Sequence, residues 1–277
     1  MAVPASYYPV TPGLRHVIGL SGGKDSTVLA FMLKEREPDT DWTYICTPTG
    51  SELIDMEYHW ANLEKHLGKP LIRVTNPKAP TLDSLIHIHE AVPNFRQRWC
   101  TRQLKIEPTI AWCVRNAPVL MHVGLRADEE EREGIYGDLV QSRFPFRELG
   151  WGIKEVLRYA SGLRERFGIV IPDRTDCDKC YHQRLEEWWN LWIKHRHRFA
   201  TASVQEVTVG HSFRSPGRDS WPVYLMALGQ EFQRLWDLGC KTYWDAWNMR
   251  MRIEKGKKPR LPKTERSQGE MCRVCSL

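Results

Sequence analysis

The sequence predicts an α/β protein whose first half builds a parallel sheet with helices on both faces and whose second half is helical and cysteine-bearing. Three observations predict it. The apolar run His16-Val17-Ile18-Gly19-Leu20 enters a glycine turn, Ser21-Gly22-Gly23, and leaves it through the apolar-periodic residues 27–33, as a strand, a turn and a helix would. Short apolar runs then alternate with helical patterns as far as Gly124, which is the pattern of βαβ units. From Gln141 onward helical patterns dominate and arginine, lysine and tryptophan become dense.

The elements follow in order. Residues 42–47 read as a second strand, and 53–67 as a helix with Leu53, Met56, Trp60, Leu63 and Leu67 spaced by three and four. Residues 71–74 read as a third strand. A helix over 105–116 requires Pro108 to sit in its first turn, where the missing N–H is not needed. Residues 119–124 give a fourth strand. Right-handed crossovers place the connecting loops, and any ligand, at the carboxyl ends of these strands. Helices are expected around 151–167, 183–197, 223–238 and 242–253, before a basic, Pro-punctuated tail and the closing Cys272-Arg273-Val274-Cys275. The expected division is a nucleotide-binding α/β domain over 1–145 and a helical region over 146–277.

A chain of 277 residues is long enough for a substantial core. No apolar run approaches the ~20 residues that span a bilayer, so no membrane partner is expected. Residues 1–8 lack a basic segment followed by an apolar one. Eight cysteines without such a leader point to reduced thiols, used for metal or catalysis, and to a cytoplasmic protein. The net charge of +6 suits nucleotides or nucleic acid without requiring either. Trp188, Trp189 and Trp192, like Trp236, Trp244 and Trp247, stand at helical spacing, which reads first as core and second as a base-stacking platform.

The turn into the first helix carries the most chemistry. A strand–turn–helix junction aims backbone N–H groups and the positive helix end at one small volume. Gly22 and Gly23 let an anion approach closely, Ser21 and Ser26 add hydroxyls, and Lys24 adds a charge. The guest this suits is a phosphate or pyrophosphate. The plainer reading is a turn whose Ser and Asp cap a helix. The spacing is not that of a Walker A loop.

Ser21-Gly22-Gly23-Lys24-Asp25-Ser26 resembles the PP-loop of ATP pyrophosphatases and the related PAPS reductase family. Other stretches extend the resemblance. Thr49-Gly50-Ser51-Glu52 is similar to that family's T-G-x-E loop, and Arg98-Trp99-Cys100-Thr101-Arg102-Gln103-Leu104-Lys105 to its R-W-C-T-x-x-L-K stretch. Gly124-Leu125-Arg126-Ala127-Asp128-Glu129 is similar to its G-x-R-x-[DE]-E loop. Glu130 stands where a related subgroup has serine, and the arginine that subgroup places after Arg132 is absent, which weakens any transfer of substrate specificity. The resemblance implies an adenine nucleotide alpha hydrolase-like, Rossmann-like fold. It implies ATP or a related adenine nucleotide as ligand, with Ser21, Gly22, Gly23, Ser26, Gly50, Glu52, Arg98, Arg102 and Lys105 around it. It further implies Mg²⁺ near Asp25, and Lys24 and Arg126 as charges that act in catalysis. By themselves, the Thr49–Glu52 turn reads as a helix cap, Arg98–Lys105 as a solvated basic turn and the acidic run after Arg126 as a solvated loop.

Cys177-Asp178-Lys179-Cys180 and Cys272-Arg273-Val274-Cys275 have the spacing that lets two thiolates share a metal. The readings are a four-cysteine site for Zn²⁺ or a [4Fe–4S] cluster, a cluster that uses Cys100 with one pair and one tail cysteine, or a metal-free redox or sulfur-carrying tail. Cys46, Cys113 and Cys240 read as small buried hydrophobes. The basic runs at 195–198 and 255–260 read as solvated faces, with a phosphate backbone as the alternative partner.

The expected function is ATP cleavage to AMP and pyrophosphate to adenylate an acceptor, for sulfur transfer or modification of DNA or tRNA, with a sulfur-donor protein as further partner. The alternatives are thiol-dependent reduction of a sulfonucleotide such as PAPS, and a non-catalytic nucleotide- or nucleic-acid-binding module.

Overall fold

The computed structural model describes residues 13–129, 140–215 and 220–254. They fall into two compact units, one built from residues before Leu82 and the stretch Cys100–Asp176, the other from Leu82–Trp99 and the chain from Cys177 onward.

The first unit is a five-stranded, all-parallel sheet in the order β3-β2-β1-β4-β5. Its strands are β1 (Arg15–Gly19), β2 (Trp42–Cys46), β3 (Leu71–Arg73), β4 (Val119–His122) and β5 (Gln141–Arg143). Strand β1 is central, pairing His16 with Trp42 on one side and with Leu120 on the other. Alternation along the strands makes two cores. Ile18, Tyr44 and Cys46 pack with α1 (Lys24–Arg36), α2 (Ile54–Leu67) and α7 (Ile153–Phe167). Val17, Ile45 and Met121 pack with α5 (Glu107–Arg115) in the second. Helices therefore cover both faces, as a parallel sheet requires. Residues 28–33 of α1 are each at most 3% exposed, so this helix is enclosed on all sides rather than striped. Pro108 does lie in the first turn of α5, but helical backbone begins earlier, in α4 (Trp99–Thr101), and passes through a π turn over Arg102–Ile106. The short helix α6 (Pro145–Glu148) leads from β5 towards α7.

The second unit contains α3 (Leu82–His89), α8 (Leu185–Lys194), α9 (Arg196–Val209), α10 (Leu225–Asp237) and α11 (Tyr243–Ile253). Trp188, Trp189 and Trp192 are buried and meet Phe199, Phe213, Phe232 and Trp236 edge-on or tilted, so they form core rather than a stacking platform. The single helix expected over 183–197 is two helices joined at His195, whose φ of −136° and ψ of 56° break the path. The basic run there has partners inside this unit. Arg196 stacks over Trp192 at 3.7 Å, and Arg198 pairs with Asp178 at 3.4 Å. No helix among the described residues is long and apolar enough to cross a membrane.

Glu206 of α9 is fully buried and accepts N–H bonds from Phe213 (2.8 Å) and Leu225 (2.5 Å), the second at the start of α10. Burial outweighs these donors and pushes its carboxyl up to about 7. The folded chain then holds a proton that the unfolded chain releases, so this stabilising contribution is complete below the unfolded value and is lost as pH rises towards 7. The expected loss is about 3 kcal/mol. Tryptophan fluorescence should report a lower urea midpoint at about pH 7.5 than at about pH 5, and Glu206→Gln should flatten that slope.

Candidate nucleotide site

The turn between β1 and α1 is shaped from α2. Trp60 Nε1–H donates to the Ser21 carbonyl at 3.0 Å, and His59 Nε2 lies 3.1 Å from the Gly22 carbonyl. A carbonyl only accepts, so His59 carries its proton on Nε2. Burial pulls the ring down to about 4, which keeps it neutral near pH 7. In a trans peptide N–H points opposite to C=O. Fixing these two carbonyls on α2 therefore turns the N–H groups of Gly22 and Gly23 away from it. Gly22 has φ +85°, and a Cβ there would lie 2.7 Å from Met56 Cε and 2.8 Å from Trp60 Nε1. Gly23, the N-cap of α1, supplies no side-chain cap to the helix's first turn. Its own N–H reaches Ser21 Oγ only at 3.3 Å, and Ser21 Oγ lies 3.0 Å from Ser26 Oγ, whose hydroxyl donates to the Gly23 carbonyl.

Beside this turn is a buried charge cluster. Arg126, 6% exposed, reaches Asp25 Oδ2 at 2.8 Å, Asp128 Oδ1 at 2.9 Å and Glu129 Oε1 at 3.5 Å. Lys24 Nζ stands 4.0 Å from Asp25 Oδ1. Burial lowers Lys24 and raises Asp25, each partly opposed by the neighbouring opposite charges. Burial also opposes the charge on Arg126, but Asp25, Glu129 and Asp128 outweigh it and hold the guanidinium ionised. Asp25 Oδ1 is buried without a hydrogen-bond partner, which is costly for a carboxylate oxygen unless a cation or ligand completes it. The Arg126 loop is braced from the start of α7: Asp128 Oδ2 accepts from Ile153 N–H at 3.2 Å, and Ala127 N–H donates to Trp151 O at 2.9 Å. A Cβ on Gly124 would lie 3.3 Å from the Asp25 carbonyl, so glycine lets this loop approach α1.

The other anticipated residues are placed as follows. Gly50 has φ +71°, and a Cβ there would meet Thr81 Cγ2 at 2.6 Å. Glu52 Oε1 accepts from Thr49 N–H and Oγ1–H, both at 2.7 Å, so this carboxylate closes its own turn. Arg98 belongs to the second unit, and Arg102 and Lys105 to the first. Arg102 pairs with Glu107 at 2.7 Å. Cys177 and Cys180 share one tight turn, with Cys180 N–H donating to Cys177 O at 3.2 Å. Lys179 between them is buried on Asp83 (2.6 Å) and Gln205 (3.2 Å). Cys272 and Cys275 lie outside the described residues. Among the described residues no three His, Cys, Asp or Glu side chains gather as metal ligands.

His59, Trp60, Asp128 and Glu129 join the candidate site without having been assigned to it from sequence. A histidine beside a tryptophan on the apolar face of α2 was the available signal, because buried polar rings need partners. Trp60→Phe keeps the ring's bulk and deletes the Nε1–H donor. Phosphate or ATP affinity measured by calorimetry is expected to fall about five- to tenfold, the worth of one such bond, with little change in melting temperature.

A parallel sheet whose first strand lies at its centre and runs through a glycine turn into a buried helix is a Rossmann-like α/β fold. Residues 15–135 match the phosphoadenosine phosphosulfate reductase domain family. Among solved structures, the phosphoadenylyl-sulfate (PAPS) reductase from Candida auris, in a phosphate complex, aligns at 13% identity and TM-score 0.44 over 55% of this chain and 73% of that one. The U34-tRNA thiolase NcsA from Methanococcus maripaludis, with its [4Fe-4S] cluster, aligns at 17% identity and TM-score 0.44 over 96% of this chain and 81% of that one. No curated protein sequence matches the chain.

Proposed function

We propose that the chain binds ATP with Mg²⁺ at residues 21–26 and cleaves it between the α- and β-phosphates to adenylate an acceptor. The observation that supports this most is the fixing of the Ser21 and Gly22 carbonyls by Trp60 and His59, which orients the turn's amides for an anion. An acceptor oxygen attacks the α-phosphorus, the bond to the bridging oxygen breaks, and pyrophosphate leaves with that oxygen's electrons. A second nucleophile, sulfur in a thiolation, then displaces AMP. Ser21, Gly22, Gly23 and Ser26 hold the leaving pyrophosphate, and Lys24 offsets its charge. Such preorganised donors are usually the largest contribution to catalysis. Arg126 fixes Asp25 through Oδ2 and adds positive charge beside the turn.

Asp25 Oδ1, buried without a hydrogen-bond partner, fits Mg²⁺, which is commonly held by one or two carboxylates plus substrate phosphates. Bound there, the ion would neutralise phosphate oxygens. In this reading the nucleotide work belongs to residues 1–145, and 146–277 supply the cysteines and the basic tail. The single turn shared by Cys177 and Cys180 fits a pair of thiolate ligands. Completed by Cys272 and Cys275, or with Cys100 as the alternative ligand, they would hold Zn²⁺ or a [4Fe–4S] cluster. Metal and sulfide content of anaerobically purified protein, with and without Cys177→Ser, tests this.

The family match favours a second reading, sulfonucleotide reduction. A tail thiolate at Cys272 or Cys275 attacks the sulfur, its S–O bond breaks and the nucleotide leaves. A second thiol then releases sulfite and closes a disulfide, the two thiols supplying both electrons. α-Labelled ATP and PAPS, each incubated with the protein, separate the readings. AMP with pyrophosphate supports the first and sulfite the second; ADP alone, or no nucleotide binding, overturns the first.

A further inference from the structure

We propose that the turn at residues 94–98 is a contact site for single-stranded nucleic acid, with Phe95 as a base-stacking face and Arg96 and Arg98 as phosphate ligands. The turn is built independently of its tip. Val92 and Pro93 are buried and anchor it. Asn94 Oδ1 accepts from the N–H groups of Arg96 (2.9 Å) and Gln97 (3.0 Å), and the backbones of Asn94 and Gln97 bond each other in both directions. None of these bonds needs a side chain at position 95. Phe95 nevertheless is 70% exposed, the most exposed of the molecule's large apolar side chains among the described residues. A lone exposed apolar residue is ordinary, but this one stands between two exposed arginines. Neither guanidinium has a protein partner among the described residues. This sets the turn apart from Arg102, Arg196 and Arg198, which are all engaged.

An aromatic face flanked by unengaged cations matches an unpaired strand, whose bases offer a π-face of any sequence and whose phosphates lie on either side. An acidic protein surface would satisfy the arginines and leave the ring without a planar partner. Base-paired duplex has no open base face to stack. The proposal deepens the reading above by giving the acceptor's class and rests on it for the chemistry, but its test needs no turnover.

Anisotropy of fluorescent oligouridylate and oligothymidylate, titrated without ATP at several salt concentrations, is the measurement, with the full chain. Both are expected to bind, and their ratio shows whether RNA or DNA is preferred. Phe95→Ala should weaken binding about tenfold with an unchanged salt slope, and Phe95→Trp should restore it. Arg96→Ala should reduce the log–log salt slope by about 0.7, the share of one single-strand phosphate contact. No binding at low salt, or wild-type affinity in both Phe95→Ala and Arg96→Ala, overturns the proposal. So does duplex binding that depends on Phe95 as strongly, or a polyglutamate that competes equally with wild type and Phe95→Ala, which would favour an acidic protein partner. ATP binding by equilibrium dialysis is measured on the same samples. Its failure beside a Phe95-dependent oligonucleotide signal would sink the ATP reading and leave this one standing.

Discussion

Gly22→Ala is expected to lose phosphate and ATP binding by at least about a hundredfold, and to lower unit stability by roughly 2–4 kcal/mol. Two effects add. A non-glycine residue at φ +85° costs about 1–2 kcal/mol. The new methyl would also sit 2.7 Å from Met56 Cε and 2.8 Å from Trp60 Nε1. The methionine end can swing aside; the indole cannot, because the same nitrogen holds the Ser21 carbonyl. Relief therefore comes from moving the turn, which misaims its amides. Gly23→Ala is the internal control, with φ −69° and its nearest new contact at 3.4 Å from Ser21 Oγ. Calorimetric binding and thermal melts should show Gly22→Ala failing in both and Gly23→Ala melting near wild type. Equal melting temperatures for the two variants would remove the steric account.

Arg126→Met should be the most destabilising change in the charge cluster, by about 3–5 kcal/mol, because it strands buried carboxylates rather than deleting a neutral contact. Asp25 and Glu129 would face each other without the guanidinium that links them at 2.8 and 3.5 Å. Burial already raises Asp25 with Arg126 present, so its loss must raise it further. A raised carboxyl is stabilising when protonated, and that contribution disappears as pH climbs past its folded value. The deficit of Arg126→Met against wild type should thus shrink at about pH 5 and widen at about pH 8. Urea unfolding at both pH values checks this, and a pH-independent deficit would point to lost packing. Arg126→Lys, which keeps the charge but cannot fork to three carboxylates, should fall between them.

What could be read from sequence was what sits close together in sequence. The turn at Ser21–Ser26 declares itself because strand, glycines and helix are contiguous. The striped helices α2, α7 and α10 declare themselves by apolar spacing. Helix α9 did not, since Ala200, Thr201, Thr208 and other small or β-branched residues blur its pattern. Strand β5 is three polar residues held by its place beside β4. The charge cluster and the turn's anchors were hidden for another reason. Arg126 and Asp25 are 101 residues apart, and Trp60 and Ser21 are 39 apart, so only the sheet order brings them together. Arg126 was anticipated as a charge near the nucleotide; its grip on three carboxylates was not legible from its own neighbours.

The enclosure of α1 has one more consequence. A helix wrapped by protein on every side has nowhere to tilt, and its amides at residues 28–33 should be among the slowest to take up deuterium. The turn at residues 21–26 is the free end of that clamped rod, so under the proposed function it would meet an anion without remoulding. Discrimination among candidate anions would then rest on the anion's own shape, as a rigid die accepts only coins of one diameter.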